Sequence, residues 1–199
     1  MRRRCLLGSG LLLGPLLGLA GCASPPVSYY TLAARPGSAH ATGPRRIELR
    51  RIGLAGYLDR PGLVRVESAY RVSVADTERW AEPLGRMVER VLTEDLVARL
   101  PDAAIVAETG AITTEPDTVL EIDISRFEDD GAGEVVLLAQ VALRHDGTHR
   151  PADARTLRLT VPYTENNSRQ AAAAAGLVAA MSTALGMLAD RIAERVAAG

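Results

Sequence analysis

VLEIDISRF, residues 119–127, alternates apolar and polar side chains with the two-residue period of a β-strand. The pattern predicts a strand with one buried face and one solvated face. The buried set is Leu120, Ile122 and Ile124. Phe127 breaks the alternation, which predicts a β-bulge or the end of the strand at this point.

Two more strands are predicted on the carboxyl-terminal side of this stretch. Residues 134–145 and 155–163 show the same two-residue period. Asp130-Gly131 and Asp146-Gly147 lie before these strands and are typical of tight turns. Three consecutive strands joined by short turns form an antiparallel meander.

Shorter strands are predicted on the amino-terminal side. They cover residues 27–32, 47–54 and 103–108, and residues 63–67 and 70–74 form a hairpin. The loop between the first two, residues 33–44, is rich in Ala, Gly, Pro and Ser.

Two segments have the helical period instead. Pro83–Leu100 carries apolar residues at helical spacing, with Pro83 suited to the first turn and Pro101 beyond the end. A last helix begins after the N-cap candidates Asn166-Asn167-Ser168. Its apolar positions are Leu177, Met181, Leu185, Leu188, Ile192 and Val196. This face either packs on the chain's own sheet or is shared with another subunit.

The elements together predict an α+β fold. Two main helices pack on a mixed, mostly antiparallel sheet, and a length of 199 residues suits one domain with a substantial core.

The first 22 residues have the organisation of a bacterial lipoprotein signal. Arg2-Arg3-Arg4 precedes an apolar stretch that is too short and too rich in glycine for a membrane-spanning helix. Leu19-Ala20-Gly21-Cys22 then offers small residues before a cysteine. We expect a signal peptide at residues 1–21, a lipid on Cys22, a tether at residues 22–26 and a domain at residues 27–199. An uncleaved anchor and an ordinary secretory signal are the alternatives.

Composition excludes several function classes. Removal of the three signal arginines leaves 20 arginines against 24 acidic residues, a balance unlike that of a nucleic-acid-binding surface. Cys5 leaves with the signal and Cys22 takes the lipid, so no cysteine remains for a disulfide, a metal or a nucleophile.

The polar side chains do not form the pattern of a metal site or a catalytic site. His145, Asp146 and His149 flank a tight turn that gives poor convergence on a metal, so no metal site is predicted. The acidic residues of 121–130 are expected on a solvated strand face rather than across a cleft. We therefore expect no enzyme, no catalytic residue and no cofactor other than the covalent lipid on Cys22.

Several short motifs resemble those of the PqiC-like ABC-transport auxiliary lipoproteins. They are Ser28-Tyr29-Tyr30-Thr31-Leu32, Tyr57-Leu58-Asp59-Arg60-Pro61, Trp80-Ala81-Glu82-Pro83-Leu84, Arg90-Val91-Leu92-Thr93-Glu94-Asp95-Leu96 and Arg126-Phe127. Their order covers nearly the whole chain after Cys22. The resemblance implies a fold similar to the amino-terminal domain of TolB.

The resemblance also implies a role and partners. Such lipoproteins act as accessory components of an MCE-type lipid transport system, where an MCE protein and its ABC transporter are the partners and a homo-oligomeric ring is implied. Ala23-Ser24 after the cysteine, in place of aspartate, favours the periplasmic face of the outer membrane. Alternatives are a lipid-binding or outer-membrane assembly lipoprotein independent of an MCE system, and a hydrolase.

Six residues are candidates for partner docking. Tyr57, Leu58, Asp59, Arg60 and Pro61 form either a docking loop or a rigid turn in which Pro61 fixes φ. Trp80, predicted where the chain enters the first helix, either stacks on a partner or packs that helix to its own core.

Overall fold

The computed structural model describes residues 26–108, 110–112, 115–145, 153–164 and 170–198. The predicted signal peptide, Cys22, the turn at Asp146-Gly147, His149 and the cap at residues 166–168 lie outside these ranges.

The described residues form nine strands and two helices, which is an α+β composition. In chain order they are β1 (Ser28–Tyr30), β2 (Arg46–Leu49), β3 (Gly53–Leu54), β4 (Gly62–Ser68), β5 (Arg71–Trp80), α1 (Leu84–Arg99), β6 (Ala104–Ala107), β7 (Thr118–Asp129), β8 (Glu134–His145), β9 (Asp153–Pro162) and α2 (Gln170–Ala198).

The strands form two mixed sheets. The larger sheet has the order β6-β2-β7-β8-β9, with β3 also pairing with β7, and the smaller has the order β1-β5-β4. The longest pairings are antiparallel, β7 with β8 and β8 with β9, as the meander predicts. A single sheet was expected. The smaller sheet is built on the β4–β5 hairpin, and β5 continues as far as Trp80, where it pairs in parallel with β1.

A bulge in β7 places Phe127 in the core. The β7–β8 register shifts between Ile124 and Arg126, so Ser125 is the additional residue. One extra residue reverses which positions face the core. Ile124 before the bulge and Phe127 after it therefore both point inward, and both are at most 1 % exposed. The predicted bulge is confirmed.

The helices pack on the larger sheet and on each other. α1 contacts α2 and β6, and α2 also contacts β7, β8, β9 and β1. Every predicted apolar position of α2 is buried in the core. By length and composition α2 could cross a membrane, but most of it is buried within the fold, which is typical of a core helix.

Residues 31–43, which we call the strap, run from β1 across both helices. The predicted loop is therefore bonded to the helices along its length, although most of its residues are exposed to solvent. Its hydrogen bonds join Leu32 N to Met87 Sδ, Ala33 N to Ser182 Oγ, Arg35 N to Asp95 Oδ1, His40 N to Arg99 O, and Thr42 Oγ1 to Ala197 O.

Candidate docking surface

The predicted docking loop is a tight turn with one buried side chain. Leu58 N donates to Ala55 O at 2.9 Å, and Arg60 N donates to Leu58 O at 2.8 Å. Leu58 is 1 % exposed and belongs to the hydrophobic core. Asp59, Arg60 and Pro61 are exposed, so these three present the loop to solvent.

Tyr57 fixes the start of the loop to the end of β7. Its hydroxyl donates to Glu128 Oε2 at 2.8 Å, and the same oxygen accepts from Phe127 N at 2.8 Å. Arg126 Nε donates to Glu128 Oε1 at 2.7 Å. Burial, and then the hydrogen bond to Glu128, raises the pKa of the Tyr57 phenol, which stays protonated as a donor.

Trp80 lies under the loop. It ends β5, three residues before the helix N-cap Pro83, rather than standing in the helix entrance itself. Its backbone N–H donates to Pro61 O at 2.8 Å, and its side chain is 6 % exposed within the core. Ala81 N donates to Tyr30 O at 2.9 Å on the other side. The loop and β1 therefore flank the same end of β5.

The two predicted segments meet in one groove of about 410 Å³, which we call the docking groove. Its lining comprises Asp59, Arg60, Pro61, Trp80, Ala81, Glu82 and Pro83. Asp59 also lines a neighbouring groove of about 430 Å³ with Arg86 and Glu89 of α1. Leu58 and Trp80 support the surface from below, while a partner would contact the exposed residues.

Three lining residues, Ala81, Glu82 and Pro83, were not among the predicted site residues. The sequence did carry a signal for them, since they lie in the motif Trp80-Ala81-Glu82-Pro83-Leu84 that contributes to the family resemblance. Glu82 is ordered by Arg90, whose Nη2 donates to Glu82 Oε1 at 2.8 Å.

The acidic residues of β7 have structural partners. Glu121 lies 3.4 Å from Arg144, and Asp123 is exposed, in line with a solvated face. The expectation of a solvated face is wrong for Glu128 and Asp129, which are 2 % and 3 % exposed. They lie beyond the bulge, where β4 of the smaller sheet packs against β7 and covers the second face.

The described residues contain no group of three or more His, Cys, Asp or Glu side chains able to hold a metal ion. His145 Nδ1 lies 2.9 Å from Thr118 Oγ1 in a hydrogen bond.

Comparison with known proteins defines the class. The sequence model of the ABC-type transport auxiliary lipoprotein component matches residues 30–193. The chain belongs to this family, and the resemblance predicted from the short motifs is confirmed. This family is one of transport auxiliary lipoproteins and not one of enzymes.

Particular relatives refine the comparison. The chain is 26 % identical over 136 residues to the intermembrane transport lipoprotein PqiC of Escherichia coli (strain K12), covering 66 % of this chain and 71 % of that protein. The same figures hold for PqiC of Shigella flexneri. The chain is therefore an auxiliary lipoprotein of a transport system.

The fold has a close match among crystal structures. A protein from Xanthomonas campestris aligns with a TM-score of 0.69 at 21 % identity, covering 86 % of this chain and 95 % of that one. The match confirms the α+β fold with two helices on mixed sheets.

Proposed function

We propose that this chain is a lipoprotein of the outer membrane that docks an MCE-type protein of a lipid ABC transport system. A lipid on Cys22 holds the domain at the periplasmic leaflet, and Ala23-Ser24 supports sorting to the outer membrane. Copies of the chain assemble as a ring around the end of the conduit. Lipid moves through the partner, while this protein fixes where the conduit ends.

The observation that carries the proposal is the convergence of two family motifs on the docking groove. Residues 59–61 and 80–83 are separated in sequence, yet Trp80 N–H bonds to Pro61 O and both segments line one surface. A rigid, buried base beneath exposed charged residues suits recognition of a protein partner.

Reversal of the charges at the groove tests docking directly. The double variant Asp59→Arg/Arg60→Glu reverses both exposed charges while leaving Leu58 and Trp80 in place. We expect at least about a tenfold loss of affinity for an MCE protein encoded beside this chain, because complementary charges then repel. Binding is measured by interferometry on the lipidated protein.

Arg144→Glu near the end of β8 is the matched control, because Arg144 is exposed and pairs with Val119, at the opposite end of β7 from Glu128 and its contact with Tyr57, and it should leave affinity unchanged. Equal affinity of the double variant and the wild type would contradict docking at this groove. Bound lipid in native mass spectra, with no MCE binding, would favour the lipid-carrier alternative.

Anchoring has its own test. Cys22→Ser replaces the acylated sulfur with a hydroxyl, and we expect the protein to move from the membrane fraction to the soluble periplasm. Retention with membranes would contradict the anchor, and fractionation with inner-membrane markers in the wild type would contradict the outer-membrane assignment.

A further inference from the structure

Exposed apolar side chains concentrate on the smaller sheet. Among the described residues, seven large hydrophobic side chains are exposed, and five of them lie at β1 or on the β4–β5 hairpin. They are Val27, Tyr29, Tyr70, Val72 and Val74. Tyr70, at the tip of the hairpin, is fully exposed at 101 %. Tyr29 lies opposite Arg79 at the far end of β5, whereas Tyr70, Val72 and Val74 occupy alternate positions at the tip end of the hairpin, which indicates an interaction surface there.

The direction of β1 relates this cluster to the predicted anchor. β1 pairs in parallel with β5, and Ser28 lies opposite Glu78. The amino-terminal end of β1 therefore points the same way as the start of β5. That start, Arg71, directly follows Tyr70. The chain that precedes Ser28 leaves the sheet on the side of the hairpin tip.

The length of the preceding chain matches the height of the hairpin. Ser28 is the sixth residue after Cys22, and at about 3.3 Å per residue these six steps span at most about 20 Å. Glu78 is the eighth residue after Tyr70, a distance of at most about 26 Å, which the irregular register between β4 and β5 shortens. A lipid on Cys22 can therefore lie level with the hairpin tip.

We propose that the hairpin tip, with Tyr70 and Val72, contacts the lipid bilayer that receives the anchor. This inference rests on the lipid at Cys22 in the proposed function. Tyrosine suits the membrane interface, because its ring is apolar and its hydroxyl reaches the headgroups. The apolar contact and the acyl chains then hold the domain in one orientation.

The charge of the tip indicates the kind of contact. Arg71 forms an ion pair with Glu67 across the hairpin, so the pair presents no net charge to the headgroups. Arg126, Glu128 and Asp130 line the pocket beside the tip, so the contact with lipid is made by the exposed apolar side chains of Tyr70 and Val72. It should be insensitive to salt, since screening weakens attraction between exposed charges but not apolar burial.

The docking groove lies at the other end of β5. Trp80 is ten residues from Tyr70, which places the groove at most about 33 Å from the tip. With the tip at the bilayer, the groove faces away from the lipid and towards the periplasm. This orientation leaves the docking residues accessible to a periplasmic partner.

Fluorescence of a single introduced tryptophan tests the orientation. The lipidated full-length mature protein carrying Tyr70→Trp is reconstituted in phosphatidylethanolamine/phosphatidylglycerol vesicles with and without brominated acyl chains. The matched control is Ile112→Trp, which is 69 % exposed outside the smaller sheet, and wild type supplies the background of buried Trp80. We expect brominated lipid to quench Trp at position 70 at least about twofold more than at position 112, in low and high salt alike.

The possible outcomes separate the proposals. Wild type that fails to float with vesicles would overturn the anchor and this inference together. Protein that floats with equal quenching at positions 70 and 112 would overturn only the bilayer contact. A shift of Tyr70→Trp emission that follows protein concentration and not brominated lipid would assign the tip to a second copy of the chain, and would also overturn it.

Discussion

Arg99 Nε lies 2.6 Å from Asp190 Oδ1 and joins the end of α1 to α2. The Arg99 side chain is 1 % exposed, whereas that of Asp190 is 44 % exposed. Arg99 also donates through Nη1 to Arg35 O in the strap and through Nη2 to Gly186 O in α2. One buried guanidinium therefore holds both helices and the strap together.

Replacement of this arginine should strongly destabilise the protein. Arg99→Met keeps much of the side-chain length but removes the guanidinium and leaves the buried Asp95 without its cation. We expect a loss of about 3 kcal/mol in the free energy of unfolding, since breaking a buried ion pair exposes the desolvation cost of the remaining charge. Urea unfolding followed by circular dichroism measures the change.

Arg191→Met is the control on the same helix. Arg191 pairs with Glu194 at 3.2 Å, with both side chains more than half exposed. We expect a change below about 1 kcal/mol, because exposed pairs contribute little. Similar losses for the two variants would contradict the structural role of Arg99.

Asp95 should make the free energy of unfolding fall as the pH rises above the ordinary pKa of an aspartate. Burial raises the pKa of its carboxyl, and Asp95 Oδ2 is buried with no hydrogen-bond partner in the described part of the chain. Between the ordinary pKa of about 3.9 and the raised value, the folded protein binds more protons than the unfolded chain. The free energy of unfolding of wild type, relative to Asp95→Asn, should therefore fall as the pH rises through this window and stay constant above it. Unfolding titrations in urea at a series of pH values measure this difference.

Asp117 should give the free energy of unfolding a pH dependence of the opposite sign. Its hydrogen bond and ion pair with Arg46 lower the pKa of its carboxyl. Its stabilising contribution is present above the unfolded pKa and is lost as the pH falls through the folded value. Relative to Asp117→Asn, wild type should thus lose stability on acidification. The same slope for both aspartates would refute the assignment.

Gly62 is required by the close approach of two strands. A Cβ at Gly62 would lie 2.1 Å from Ala75 O, a backbone atom that no rotamer change can move. We expect Gly62→Ala to lower the free energy of unfolding by about 2 kcal/mol or more, because the β4–β5 pairing must shift. Thermal unfolding monitored by Trp80 fluorescence reports on this region directly.

Gly56→Ala is the matched control, since a Cβ there meets nothing within 4 Å. It should be neutral or stabilise slightly by restricting the unfolded chain, within about 1 kcal/mol. Tolerance of alanine at both glycines would show that the hairpin does not need the close contact.

The hydroxyl of Tyr57 should stabilise the docking loop. Tyr57→Phe removes one of the donors to the buried Glu128 and should cost about 1.5–3 kcal/mol in the free energy of unfolding, as hydrogen bonds to charged groups do. Tyr70→Phe removes a hydroxyl that is fully exposed and should change stability very little. Chemical denaturation compares the two, and equal effects would argue against the Tyr57–Glu128 bond.

The meander and α1 could be predicted from sequence because their patterns are local. The bounds predicted for β8 match those observed, and α1 begins directly after Pro83. The division into two sheets could not be predicted, because alternation identifies a strand but not its partner. Much of β5 is exposed, so its second half lacks the apolar alternation from which a strand is predicted.

Only the local part of the site could be predicted, namely which segments of sequence contribute to it. Motif spacing identified residues 57–61 and Trp80, and the structure brings Asp59, Arg60 and Pro61 together with Trp80 at the docking groove, while Tyr57 lines a separate pocket beside Tyr70. Sequence could not tell that Leu58 and Trp80 point into the core while Asp59 and Arg60 face solvent. The sequence also did not identify Arg99 as important, because a cation in the last turn of a helix is common. The docking role itself stays a prediction.

The parallel pairing of β1 with β5 has a mechanical consequence. A pull on a lipid at Cys22 would enter the domain along the axis of β1, from the side of the hairpin tip. Load along a strand axis acts in shear, so the contacts from Ser28 to Tyr30 resist it together instead of opening one after another. Behind them the strap is clamped by Arg99, and the tensile load then passes into the helix pair. A pull applied at the amino-terminal end of β1 is thus shared by the β1–β5 pairs and the strap before it reaches the helices.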